Sequence, residues 1–331
     1  MPDDPRWDPE MRASHAAYEA EAANYPPIRL EYPFEPHRAV NDALNVILAR
    51  GGPDMAEAAD RWVAVRGRCI RCRVNRPRLD RALPVLVWFH GGGWVWSSVD
   101  THDRLAREYA AAGEVAVVNV DYALSPEAKF PTALEECAAV AAWLAEHGAG
   151  WGLDASRMVL GGDSAGGNLA LAAALLLRDR GGPPLRGILA VYPVCDADFT
   201  RPSYRQYAEG FMLSAEKMRF YWDAYVPHDC DKLHPLAAPL RANLAGLPPV
   251  LVQQAELDVL RSEGEALVAA LRATRVPVEH QVFPGVIHGF MRHTGRVARA
   301  REAVAKAGEW LRGVTGAAEP RAQATMELEA R

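Results

Sequence analysis

Gly162-Asp163-Ser164-Ala165-Gly166 is a G-x-S-x-G. It lies between the strand-like Met158-Val159-Leu160 and a helix-like stretch running on to Arg180. In that setting a sharp strand-to-helix turn projects the serine hydroxyl above a sheet. Small residues at 162 and 166 let the flanking backbones pass closely, and Ser164 stands at the positive end of a helix. About 0.06 such matches are expected by chance in this composition, so the placement adds to the signal. His90-Gly91-Gly92-Gly93-Trp94 follows the strongest apolar run, Pro84–Phe89, and is rarer still, with about 0.005 chance matches. Consecutive glycines let backbone N–H groups approach a ligand with no Cβ in the way. In acyl transfer those donors face the oxyanion of a tetrahedral intermediate, each worth about 2.7–4 kcal/mol in the transition state. The N–H of Ala165, next to the serine, adds another.

A serine hydroxyl needs a base to take its proton. In a strand–turn–helix architecture of this kind the order after the serine is acid, then histidine. His280, His288 and His293 come late enough. His280 falls inside the strand-like Val278–Phe283 and His293 enters a helix, whereas His288 sits in a loop just after the last strand. The acid should follow the preceding strand, Val250–Gln253. Glu256 and Asp258 both qualify by position, and Asp258 is preferred because it begins the loop before the helix at Ser262.

These residues need a frame. From residue 62 onward, apolar runs (Leu83–Phe89, Val115–Val120, Met158–Leu160, Ile188–Tyr192, Val250–Gln253, Val278–Phe283) alternate with helical patterns (Asp103–Ala112, Thr132–His147, Ala165–Arg180, Ser262–Arg275, Arg296–Arg312). Such alternation predicts an α/β fold with a mainly parallel sheet of about eight strands, covered by helices on both faces. Asp8–Asn24 and Pro36–Arg50 suit two amphipathic helices. Asp196–Pro235 breaks the alternation and is rich in aromatics, too long for an ordinary loop. The expected organisation is cap helices over 1–55, a core over 56–195 and 236–315, a cap insertion over 196–235 and a mobile tail over 316–331.

Composition narrows the function. Of 331 residues, 50% are hydrophobic and 24% charged, which excludes a mostly disordered chain. A formal charge of −5 argues against a nucleic-acid surface. No run approaches the ~20 apolar residues of a membrane span. The start of the chain lacks the basic-then-apolar pattern of a signal peptide, so a cytoplasmic protein is expected. Five cysteines do not suggest a disulfide framework. Cys69 and Cys72 form a C-x-x-C without a second pair, on the extended stretch Arg61–Val74, where residues three apart face opposite ways. They are read as structural, and no metal is expected.

With these pieces in place, the sequence resembles the hormone-sensitive-lipase family of α/β-hydrolases, the group with many bacterial carboxylesterases and acetyl hydrolases. The resemblance rests on His90–Trp94, Asp121–Glu127 with Phe130-Pro131, Gly162–Asn168, Leu247-Pro248-Pro249, Glu256-Leu257-Asp258 and Phe283–Phe290. It spans roughly residues 62–313, and the N-terminal helices resemble the family's cap. It implies Ser164, Asp258 and His288 as the triad, with Gly92, Gly93 and Ala165 as oxyanion donors and His90 and Asp163 as organisers of the glycine loop. Three positions depart from the family's pattern: Ser97 replaces a common Gly, Val259 a Pro after the catalytic acid, and Ala123 an Arg.

The expected reaction is cleavage of short-chain, acetyl-like esters through an acyl-enzyme, with no cofactor. Trp94, Trp96, Tyr207, Phe211 and Ile287 are the expected pocket residues. The same triad would serve an N-acetyl or amide hydrolase. A non-catalytic small-molecule receptor on the same fold is disfavoured by the presence of His288. The partner is a small acyl ester or amide, and a homodimer is suggested by analogy alone.

Overall fold

A computed structural model describes residues 4–317. The strands are β1 (Glu57–Val65), β2 (Arg68–Arg76), β3 (Leu83–Phe89), β4 (Ala116–Val120), β5 (Leu153–Asp163), β6 (Gly187–Val191), β7 (Val250–Leu257) and β8 (Val278–Ile287). The helices are α1 (Pro9–Ala22), α2 (Glu35–Asn45), α3 (Asp103–Gly113), α4 (Thr132–His147), α5 (Ala165–Asp179), α6 (Pro202–Gln206), α7 (Ala215–Tyr225), α8 (Arg261–Ala273) and α9 (Ala298–Thr315).

The eight strands form one sheet in the order β1-β2-β4-β3-β5-β6-β7-β8. The run from β4 to β8 is parallel, and β2 is antiparallel to both β1 and β4. Every residue of β3, β4 and β6 is buried, as expected for parallel strands covered by helices on both faces. α5, beneath the serine, is apolar nearly all round and buried from Ala165 to Leu177.

Three stretches differ from the sequence reading. Arg61–Val74 is not one extended segment but a hairpin, turning at Arg66-Gly67 with φ of 54° and 74°. Cys72 is buried and Cys69 exposed on its second strand, so the two face opposite ways. β8 runs beyond Phe283 to Ile287, through Pro284-Gly285. α2 ends at Asn45 and continues as turn to Ala49, short of the expected Arg50. Of the expected tail, Gly316 and Ala317 follow α9, and the rest lies outside the described residues.

Asp8 caps α1 by accepting from the amides of Glu10 (2.9 Å) and Met11 (3.0 Å). Ahead of that helix Trp7 stacks on Phe211, with centroids 6.0 Å apart. Phe34, at the start of α2, packs against Trp96 and Phe220. The N-terminal segment thus touches both the glycine loop and the 196–235 stretch. Asp8 N–H also donates to the Gly285 carbonyl (2.7 Å), and Ser14 Oγ lies 2.8 Å from His293 Nδ1.

Candidate active site

Ser164 occupies the single residue between β5 and α5, with φ 56° and ψ −118°. A non-glycine residue there carries strain of about 1–3 kcal/mol that its surroundings must hold. They do so through three backbone bonds. Ser164 N–H donates to Val191 O (2.9 Å), and Ser164 O accepts from Asn168 N (3.1 Å) and Val194 N (3.2 Å). The glycines explain themselves sterically. A methyl group on Gly162 would strike the Gly166 backbone, and one on Gly166 would strike the Phe89 carbonyl of β3.

The base and the acid arrive from neighbouring strands. Leu257 of β7 pairs with Ile287 of β8 across a register shift, so the next residues, Asp258 and His288, leave the sheet side by side. His288 Nε2 lies 2.8 Å from Ser164 Oγ, and His288 Nδ1 lies 2.7 Å from Asp258 Oδ2. A carboxylate can only accept, so Nδ1 carries the proton and Nε2 faces the serine as the basic nitrogen. The other Asp258 oxygen accepts from Leu260 N–H (2.9 Å). Glu256, the competing acid, instead accepts from Gly285 N–H (2.8 Å) and braces the histidine loop. All three triad side chains are buried, with Ser164 7% exposed.

The glycine loop leaves β3 at His90. Gly92 and Gly93 have φ of 124° and 60°, and a Cβ on Gly93 would lie 2.5 Å from the Tyr221 ring. Their amides and that of Ala165 donate to no protein acceptor among the described residues. Asp163 Oδ1 accepts from Gly91 N–H (2.9 Å). Burial pushes the Asp163 carboxyl up, but His102, Arg292 and the Gly91 amide outweigh it and hold it below the usual range. His90 stacks on Tyr122 at 4.4 Å, and its Nδ1 lies 2.9 Å from Gly91 O. Burial drives the His90 imidazole down to about 3, so it is neutral. His102, whose Nε2 lies 3.4 Å from Asp163 Oδ1, escaped the sequence reading. It sits in no motif, and only the fold brings it there.

A cavity of about 390 Å³ opens over Ser164 and His288. Trp96 lines it, but four of the expected pocket residues do not. Trp94, at φ 61°, turns away from the cavity and stacks on Tyr225, rings 4.0 Å apart and nearly parallel. Tyr207 and Phe211 pack against each other edge-on, and Ile287 is fully buried in the sheet pairing. Tyr18, Ile28, Met212 and Tyr221 line the cavity in their stead.

A family model described as alpha/beta hydrolase fold matches residues 86–292. The chain belongs to the α/β-hydrolases. It falls within their hormone-sensitive-lipase group of bacterial carboxylesterases. It is 39% identical to the carboxylesterase NlhH of Mycobacterium tuberculosis over 72% of this chain and 76% of that one. It is 36% identical to an ethyl acetate hydrolase of Pseudomonas putida over 71% and 76%. Among solved structures, a thermostable esterase from Pseudomonas putida ECU1011 superposes with a TM-score of 0.86 at 36% identity, covering 94% of this chain and 98% of that one. An ester-hydrolase from the metagenome of Lake Arreo, solved with a phosphonate derivative, gives 0.87 at 32%, covering 94% and 99%. This α/β-hydrolase is a carboxylic ester hydrolase with a Ser164–His288–Asp258 triad.

Two departures from the family's pattern have a place in this hydrolase. Ser97 sits at φ 74°, the left-handed region that explains why glycine is common at that position. Val259 is fully buried beside the acid, and its carbonyl accepts from Ser203 Oγ (2.5 Å), tying the acid loop to α6. No helix among the described residues is long and apolar enough to cross a membrane.

Proposed function

We propose that this protein hydrolyses short-chain, acetyl-like carboxylic esters through an acyl-enzyme on Ser164. The observation that carries the reading is the unbroken chain from Asp258 to His288 to Ser164 at 2.7 and 2.8 Å, beside amides without protein acceptors. Ser164 Oγ attacks the ester carbonyl as His288 Nε2 takes its proton. Asp258 fixes the tautomer and stabilises the imidazolium. Gly92, Gly93 and Ala165 donate to the oxyanion, which needs their hydrogen bonds most in the transition state. His90 and Asp163 keep the glycine loop in shape. As the intermediate collapses, His288 returns the proton to the leaving alcohol. Water, deprotonated by the same nitrogen, then releases the acid.

The short-chain part rests on two supports. Trp96 and Tyr221 close the cavity beside the glycine loop, and Tyr221 lies hard against Gly93. The relative from Pseudomonas putida is, by name, an ethyl acetate hydrolase. Residues 1–55 and 196–235 act as the cap in this reading, since Tyr18 and Ile28 from one and Met212 and Tyr221 from the other roof the site.

Treatment with an organophosphate followed by mass spectrometry should place one adduct on Ser164, absent in Ser164→Ala. No adduct in the wild type sinks the acyl-enzyme. With nitrophenyl esters, turnover should fall from butanoyl to dodecanoyl chains. A steady rise would defeat the short-chain assignment and leave the mechanism standing.

A further inference from the structure

One wall of the cavity carries positive charge that no acid pairs at contact distance among the described residues. Arg292 lines it, on the 3-10 turn Phe290–His293 that follows His288. Its Nη1 donates to Asn45 Oδ1 at 2.7 Å. Asn45 is itself anchored. Its Nδ2 donates to the Asn41 carbonyl (2.8 Å) and to Asn41 Oδ1 (3.0 Å), while its Oδ1 also accepts from the Tyr18 hydroxyl (3.4 Å). The guanidinium is therefore held in place by a neutral amide. Among the described residues no acid lies within 4.0 Å of it. Arginines elsewhere in the chain find acids readily, as Arg73 does with Asp60 and Asp100.

Lys217 lines the same cavity, donating to the Met212 carbonyl (3.0 Å), and it too has no acid within 4.0 Å among the described residues. Two carboxylates also line the space. Asp163 is already engaged by the Gly91 amide and His102 and feels Arg292 only from beyond contact distance. Glu19 has a side chain 61% exposed, 3.9 Å from His15, and water screens it. The chain as a whole carries a formal −5, so its long-range field repels anions. Any preference for an anion must come from this wall.

We propose that Arg292, assisted by Lys217, is a carboxylate receptor, and that the preferred substrates are esters bearing a free carboxylate. A guanidinium fixed through one arm keeps its other N–H groups for a planar, two-oxygen partner. The carboxylate is a spectator; the bond broken is still the ester's, at Ser164. The proposal deepens the esterase reading and rests on it.

The test compares kcat/KM on the full chain for two acids, each against its neutral carboxamide isostere. Monoethyl succinate carries the acid on the acyl side and O-acetyl-lactate on the alcohol side. In the wild type at least one acid should exceed its isostere about ten- to a hundred-fold, the range for a hydrogen bond to a charged group. The ratio should collapse in Arg292→Gln, chiefly through KM, recover in part in Arg292→Lys, and shrink as salt is raised. A wild type that favours both carboxamides overturns the proposal, as does a ratio unmoved by Arg292→Gln. Should that variant not fold, the wild-type ratio, its salt dependence and Lys217→Gln decide. Turnover of 4-nitrophenyl acetate separates the two failures. A wild type that cleaves it but ignores the carboxylate loses only the receptor, whereas one inert to it and unlabelled at Ser164 loses the esterase reading and this proposal with it.

Discussion

Asp258 works through one oxygen and is itself held by the other, with His288 on Oδ2 and the Leu260 amide on Oδ1. That division keeps the carboxylate from rotating away from the imidazole. Asp258→Asn preserves size and the contact to Leu260 but removes the charge that supports the imidazolium. Its kcat toward nitrophenyl acetate should fall about 10⁴-fold with an unchanged circular dichroism spectrum. A loss of less than tenfold would mean that the carboxylate is not part of the proton relay. The triad was legible from order and position because each member follows a strand end. Asp258 was preferred to Glu256 from its place at the start of the loop, and the register shift in β7 gives the reason: Glu256 turns toward Gly285 and Asp258 toward His288. The pocket was less legible. Trp94 and Trp96 are two residues apart beside the same glycines, yet the positive φ at Trp94 sends one into the core and leaves the other on the cavity. No sequence pattern records that angle.

At the level of elements, the site depends on how closely β3, β5 and α5 approach. Gly166, in the first turn of α5, lies against the carbonyl of Phe89 at the end of β3. Gly166→Ala should therefore push the helix off the sheet, lowering both the melting temperature and the activity. Gly150→Ala, where an added methyl meets nothing within 4 Å, should leave both near the wild type. Equal melting temperatures for the two variants would refute this account of the motif's last glycine. The central parallel strands β3, β4 and β6 were readable because they are buried throughout and written mostly in apolar residues. β1 was not, since it is an edge strand with alternating exposure and an exposed Trp62. Its hairpin turns on Arg66-Gly67, which lacks the usual asparagine or aspartate before the glycine.

Over the whole molecule, one buried acid ties stability to pH. Glu263 of α8 is fully buried, with one oxygen accepting from Cys195 N–H (3.1 Å) and the other without a partner. Burial pushes its carboxyl well above its usual 4.5, so the fold favours the protonated form more than the unfolded chain does. Its stabilising share is complete below pH 4.5 and is lost as pH rises toward the folded value. Glu263→Gln removes that dependence. The melting temperature of the variant relative to wild type should climb between pH 5 and pH 8, and a flat difference would show an ionised Glu263 in the fold.

The bond from Asp8 to Gly285 and the contact from Ser14 to His293 join α1 to the end of β8 and to the turn that follows His288. On the ribosome Ser164 is made long before His288, so the nascent chain carries the nucleophile before it carries the base. Trp7, buried in the finished protein and stacked on Phe211, must wait for the 196–235 stretch to cover it. Hydrolytic competence is withheld until residue 288 has been made and can close the triad.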